Sequence, residues 1–201
     1  MVDNNRADQF LTTLTLPIVS HPERHEEPML YAFSHTRFAW GLLTLAATSL
    51  LATALFFQYV QGLYPCVMCV YQRAALAGVI LAGMLGWLAP RNGWTSSLAL
   101  AGWLAAAVKG FWLAKVHVGY QLNPSPFNQC SSFAEFPDWL ALDLWWPALF
   151  HPTGDCADAS WAWLGFSMPQ WLMGIFALLA ALAVIFIIVR ITGMRRDLAA
   201  L

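Results

Sequence analysis

Four cysteines and one arginine carry the chemistry in this sequence. Cys66 and Cys69 form a Cys-Val-Met-Cys unit. A pair at this spacing, set at the start of a helix, is the arrangement that lowers a thiol pKa and supports disulfide exchange. Pro65 precedes the unit and stops a helix from running in from upstream, so the pair falls on a first helical turn. Unpaired N–H groups and the helix dipole stabilise a thiolate there. On this reading Cys69 is the deeper, more helical sulfur and Cys66 the more accessible one. Arg73 follows Cys69 by four residues and shares its helix face. Its guanidinium can support a thiolate or hold a carbonyl oxygen of a lipid-soluble ligand; the plainer alternative is snorkelling to a membrane interface. Cys130 and Cys156 lie far downstream. An even cysteine count in an oxidising compartment points to disulfides. Two inert bridges are the simple alternative. A zinc site built on all four cysteines lacks a second close pair, and no metal is expected.

The elements that must position these residues are membrane helices. Of 201 residues, 59% are hydrophobic and 10% are charged, against about 25% charged in soluble domains. Mean hydropathy is +0.57. Trp40–Val60 and Trp171–Val189 contain no charge, and each is long enough to cross a bilayer. Val70–Ala89 carries only Arg73, near its start. Trp94–Val116 carries Lys109 and Lys115, both toward its end. Pro90-Arg-Asn-Gly93 reads as the turn between them. Segments of this kind must satisfy their backbone internally, so they are helices. The expected fold is an all-α bundle of four transmembrane helices, at about 40–60, 70–89, 94–116 and 171–190, within a membrane domain spanning 37–197.

Lys and Arg set the expected orientation. Arg37, Arg91, Arg190, Arg195 and Arg196 lie at one end of the spans, whereas 117–170 has neither Lys nor Arg. The excess of positive charge on cytoplasmic loops puts both termini in the cytoplasm. The connection 61–69 and the long loop 117–170, with all four cysteines, then face outward; Lys115 alone counts against this. Within the long loop, Trp139, Trp145 and Trp146 alternate with Asp138 and Asp143, as in a short helix lying in the membrane interface. Such an anchor leaves Cys130 and Cys156 on flexible flanks, kept irregular by Pro124, Pro126, Pro152 and Gly154. Residues 1–36 lack the basic and apolar regions of a signal peptide and read as a loosely attached cytoplasmic tail. Net charge is −1, and no basic cluster extends beyond Arg195 and Arg196, so no nucleic-acid partner is expected.

Pro65-Cys-Val-Met-Cys-Val-Tyr-Gln-Arg73 resembles the quinone-linked motif of the DsbB family of membrane thiol oxidases. Pro124-Ser-Pro-Phe-Asn-Gln-Cys130 resembles that family's first outer-loop cysteine motif. Gly154-Asp-Cys156 and Met168-Pro-Gln-Trp171 resemble its second cysteine motif and the start of its last helix. The likeness runs from about Trp40 to Asp197. It implies a multi-pass protein of the bacterial inner membrane with periplasmic cysteines. Its partner would be a DsbA-like periplasmic thiol oxidase, which attacks Cys130. Cys156, once freed, would attack Cys66 and release Cys69 toward a bound quinone, ubiquinone by default and menaquinone as the alternative. Arg73 matches the quinone-site arginine, and His117 and Met168 match positions near the quinone. The resting enzyme is expected to hold Cys66–Cys69 and Cys130–Cys156. Gln72 stands where a known family member has an acidic residue, and residues 1–28 are additional to the family's usual start. A vitamin K epoxide reductase-like quinone reductase shares the four helices and a Cys-x-x-Cys, but there the motif falls late in the chain. A non-catalytic protein with two structural disulfides is the alternative from another class.

Overall fold

A computed structural model describes residues 29–125, 127 and 129–199. The expectation of a loose tail therefore falls, over 1–28, outside the described residues. Four long helices carry the fold: α2 (Arg37–Tyr59), α3 (Val67–Leu88), α4 (Gly93–Leu122) and α7 (Met168–Ala199). A short helix, α1 (Met29–Ser34), precedes them. All four long helices are of sufficient length and apolarity to cross a membrane, and the protein is an all-α, multi-pass membrane protein.

The helices start where the sequence supplies caps. The Thr36 hydroxyl accepts from the Ala39 amide at 3.2 Å, and the Asn92 side chain accepts from the Trp94 amide at 3.1 Å. Such bonds satisfy donors that a helix start leaves open. Helix α4 runs on to Leu122, which places His117 on the helix rather than in the loop after it. The short element expected in the long loop is broken into a 3-10 turn, Asp138–Leu140, and two single-turn helices, α5 (Leu142–Trp145) and α6 (Pro147–Phe150). Trp139, Trp145 and Trp146 on it are exposed, as residues facing lipid or headgroups would be. A two-residue hairpin, β1 (Ala162–Trp163) with β2 (Phe166–Ser167), leads into α7. The Ser167 hydroxyl donates to Gln121 Oε1 at 2.7 Å and so ties this hairpin to α4.

Helix α3 packs against α2 and α4, and α4 against α7. Their common core holds Trp40, Leu76, Val79, Trp103, Phe176 and Ala183. Gly110 lets α4 and α7 approach closely, because a β-carbon there would overlap the Phe176 ring. Close approach of small residues is the main source of helix association in lipid, where no hydrophobic drive exists between helices. At the far end from the cysteines, α1 lies on α7. The Arg190 guanidinium donates to the Ser34 carbonyl at 2.6 Å. The part of the expected tail that is described is thus a packed helix.

Candidate functional site

Cys66 is the N-cap of α3, and its sulfur accepts from the Cys69 amide at 3.4 Å. This is the local consequence of Pro65: the helix begins at Val67, and the cap position falls to a cysteine. The two sulfurs lie 3.0 Å apart as free thiols, whereas Cys130 and Cys156 are bonded to each other. The second pairing agrees with expectation; the first pair is reduced here. Hydrogen bonding to Cys69, and then burial, push the Cys66 thiol above the usual thiol range. Ionising Cys66 would remove the hydrogen it shares with the Cys69 sulfur and set two like charges 3.0 Å apart.

The expected difference in access is reversed. Cys66 is 1% exposed, and Cys69 is half-buried. The cause is the long loop, which folds down over the motif. The Thr153 and Gly154 amides both donate to the Pro65 carbonyl, at 2.8 and 3.0 Å. Cys156, three residues from Thr153, is also 1% exposed and shares a buried cluster with Cys66 and Val67. Cys156 is therefore not on a flexible flank. Of the bonded pair, Cys130 is the more accessible, being half-buried. Its own stretch is fastened where the Glu135 amide donates to the Tyr71 hydroxyl at 2.7 Å. The two cysteine pairs, far apart in sequence, meet at the start of α3.

His117 and Gln72 complete this junction from below. His117 Nε2 is 3.4 Å from Cys66 Sγ, and His117 Nδ1 is 3.4 Å from Gln72 Nε2. An amide NH2 can only donate, so with the Gln72 NH2 facing it Nδ1 accepts, and in that tautomer Nε2 carries the hydrogen that faces the Cys66 sulfur. Gln72 Oε1 is buried with no hydrogen-bond partner among the described residues. The ligand atoms of Cys66, Cys69 and His117 all lie within 4.8 Å of one another, a grouping that could hold a soft metal ion when both thiols are reduced.

Arg73 is buried and held by neighbouring segments. It donates to Gln58 Oε1 at 2.6 Å, to the Leu149 carbonyl at 3.0 Å and to the Ala54 carbonyl at 3.4 Å. It thereby joins α2, α3 and the end of α6. The snorkelling alternative does not describe this geometry. Gln58 and Leu149 were not legible as its partners; the only sequence signal was a polar residue near the end of an otherwise apolar span. A cavity of about 100 Å³ opens beside Cys69 and is lined by Gln72, Arg73, His117 and Met168, with Leu50, Leu76 and Leu172 as apolar walls. All three residues expected near a quinone thus border one cleft with the sulfur of Cys69. An apolar slot with a few convergent polar groups is the usual form of a small-molecule site. The unpartnered Gln72 oxygen suits the hydroxyl of a hydroquinone, and the cleft fits such a group.

The profile of the family described as "DsbB: Disulfide bond formation protein DsbB" matches residues 36–186. Disulfide bond formation protein B of Aeromonas salmonicida is 55% identical over 155 residues, which cover 77% of this chain and 88% of that protein. The protein of the same name from Yersinia pestis is 48% identical over 166 residues, covering 82% and 94%. That from Shewanella frigidimarina is 50% identical over 149 residues, covering 74% and 88%. With a matching profile over most of its length, relatives at this identity, four membrane helices and two converging cysteine pairs, the chain belongs to the DsbB family of disulfide bond formation proteins.

Proposed function

We propose that this protein reoxidises a DsbA-like, thioredoxin-fold dithiol oxidase of the periplasm and passes the electrons to a membrane quinone, ubiquinone by default. The observation that carries the reading is the burial of Cys156 against Cys66, with Cys130 left as the accessible end of the disulfide. A partner thiolate attacks Cys130 Sγ and breaks the Cys130–Cys156 bond. A mixed disulfide forms, and Cys156 leaves as a thiolate. Cys156 then attacks Cys66 Sγ of an oxidised Cys66–Cys69 pair, and Cys69 leaves. The partner's second thiolate resolves the mixed disulfide and departs oxidised, freeing Cys130. Attack of Cys130 on Cys156 restores their bond and leaves Cys66 and Cys69 reduced. A bound quinone supplies the acceptor for the two electrons and two protons that then leave Cys66 and Cys69.

Each remaining residue has a task in this scheme. Helix α3 presents its N-terminus to the sulfurs. Arg73 places positive charge beside Cys69 and one wall of the cleft. His117 points an N–H at Cys66, and Met168 closes the apolar side. The positive-inside distribution of Arg and Lys supports cytoplasmic termini and periplasmic cysteines in an inner membrane. A Cys156→Ser variant tests the scheme. Its Cys130, left as a free thiol, should attack the disulfide of the oxidised partner, release one of that partner's thiolates and accumulate a mixed disulfide with a periplasmic thioredoxin-fold protein, identifiable by mass spectrometry. Failure of Cys130 to trap any such protein, with the variant folded, would remove the partner step.

A further inference from the structure

The end of the bundle away from the cysteines holds a buried charge that the redox chemistry does not use. Arg190, on α7, is 9% exposed. Its Nη2 and Nε donate to the carbonyl and hydroxyl of Ser34, at 2.6 and 3.4 Å, and its guanidinium lies 5.7 Å from the Trp40 ring centroid. These are neutral partners. A guanidinium has five N–H donors, and none of those of Arg190 meets a carboxylate among the described residues. A charge at membrane depth is costly, and it ordinarily faces a partner or a polar cavity.

No described residue fills the space beside Arg190, and its lining is mostly apolar. A cavity of about 590 Å³ runs between α4 and α7, and Arg190 lines its end. Ser97, Ala101 and Ala105 lie on its α4 wall beside Leu100, Leu104 and Val108, and Ile187 and Ile191 on its α7 wall. The fourfold spacing of those small residues puts them on one helix face and leaves a trough where larger side chains would have filled it. The lined part of α4, Gly93–Val108, is about 22 Å long at 1.5 Å per residue. That length accommodates a lipid acyl chain, since one leaflet's share of the hydrocarbon core is about 15 Å.

Charge selects among possible occupants. A helix from a second copy could lie on a small-residue trough. It could not neutralise Arg190, because none of the four spans contains Asp or Glu. A quinone tail brings no charge. An anionic phospholipid brings both parts, an acyl chain for the trough and, for the guanidinium, a phosphodiester whose charge no headgroup ammonium offsets, as choline does in phosphatidylcholine. Basic pockets between helices at the cytoplasmic side are the usual sites for such headgroups. We infer that this protein has a specific anionic-phospholipid site, with the lipid phosphate on Arg190 and one acyl chain between α4 and α7.

The experiment uses the full chain purified in a mild detergent, with phosphatidylglycerol and phosphatidylcholine of the same acyl composition titrated in parallel. Retention is read by native mass spectrometry and stabilisation by thermal melting. The wild-type protein should retain phosphatidylglycerol about tenfold or more over phosphatidylcholine, as expected for one charge-assisted contact. Arg190→Gln should abolish that preference. Ala101→Phe, which keeps the arginine and fills the trough, should weaken binding of both lipids; it keeps the test valid if Arg190→Gln unfolds. Arg91→Gln, at an exposed turn, should leave the preference intact. Equal retention of the two lipids by the wild type would overturn the inference. So would loss of preference in Arg91→Gln as large as in Arg190→Gln, which means diffuse attraction only. A dimer that Ala101→Phe dissociates, or a quinone retained in the trough in place of lipid, would also overturn it.

Discussion

Gly154→Ala should slow the transfer of the disulfide between the two cysteine pairs without touching any sulfur. A β-carbon at Gly154 would overlap the Tyr64 carbonyl oxygen, and would lie 3.0 Å from its carbon and 3.3 Å from Tyr64 Cβ. The first obstacle is backbone, so no side-chain rotation relieves it. The segment must lift from Pro65 and give up the bonds from the Thr153 and Gly154 amides, at 2.8 and 3.0 Å. Each is worth about 0.5–1.5 kcal/mol net. Their joint loss of about 1–3 kcal/mol lowers the docked population roughly five- to a hundredfold. Cys156 then spends that much less time against Cys66, so kcat should fall by a comparable factor. Cys130 lies on a separately fastened stretch, so KM for the partner should hold. Rapid mixing with reduced partner, acid quenching and thiol alkylation would separate the steps: the mixed disulfide on Cys130 should form at the normal rate, and reduction of the Cys66–Cys69 pair should lag. Normal transfer in a variant with unchanged melting would refute the idea that docking at Pro65 controls the step. Slowed mixed-disulfide formation would place Gly154 in the partner's path instead.

Three other outcomes follow from the same geometry. Arg73→Gln should raise the apparent KM for quinone about ten- to a hundredfold, the value of a charged hydrogen bond, with the partner's mixed disulfide still forming. Titrating quinone at saturating partner measures it, and the Gln58 and Leu149 contacts predict some loss of thermal stability beside it. Gln72→Glu should move the His117 proton from Nε2 to Nδ1, because a carboxylate accepts where the amide now donates. The ring nitrogen shifts in ¹⁵N-labelled protein report this directly. A protein starting at Met29 should oxidise its partner normally, whereas one starting at Arg37 loses α1 and the Ser34 partner of Arg190. The latter should lose about 1.5–3 kcal/mol of stability, the value of one charged hydrogen bond, and so melt earlier, with turnover at the opposite end preserved; equal melting of the two would show that α1 adds nothing.

The spans were legible because they are set by a single requirement, apolar length, and Thr36, Pro65 and Asn92 mark where helices start. The grouping of Arg73, His117 and Met168 around one cleft came from resemblance, and the structure brings the three together. Which sulfur is buried was not legible. It depends on a contact between Gly154 and Tyr64 across some ninety residues of chain, and local helix reasoning exposes Cys66 by default. The flexible-flank reading of Cys156 failed for the same reason: Pro and Gly nearby mark irregular backbone, which can be docked as readily as mobile. The hydrogen bonds of Arg73 were hidden because two of its three acceptors are backbone carbonyls, which every residue possesses. Gln72 was noticed as a missing carboxylate; its positive role, an amide that fixes which nitrogen of His117 carries hydrogen, required the helix α4 contact.

The pattern of burial bears on why such a relay would run in one direction. Any of four sulfurs could exchange with a partner thiolate if all were open, and a direct attack on Cys66 would bypass Cys130 and Cys156 altogether. Thiol–disulfide exchange needs access to the attacked sulfur. Cys66 and Cys156 are each 1% exposed, and both are covered by the segment docked on Pro65. Cys69, the half-buried member of its pair, borders the cleft. The open sulfur of the bonded pair is Cys130, at the loop surface, so a soluble partner has one entrance and a ligand in the cleft has another. The two buried sulfurs are covered against a soluble thiol and exchange with sulfurs of this protein. On the proposed reaction, this makes the Pro65–Gly154 contact an insulator as well as a clamp. Opening it, as in Gly154→Ala, should both slow forward transfer and admit small thiols to Cys66. A rise in direct glutathione oxidation alongside the fall in partner-dependent kcat would separate insulation from simple misplacement, and a fall in both would leave only the clamp.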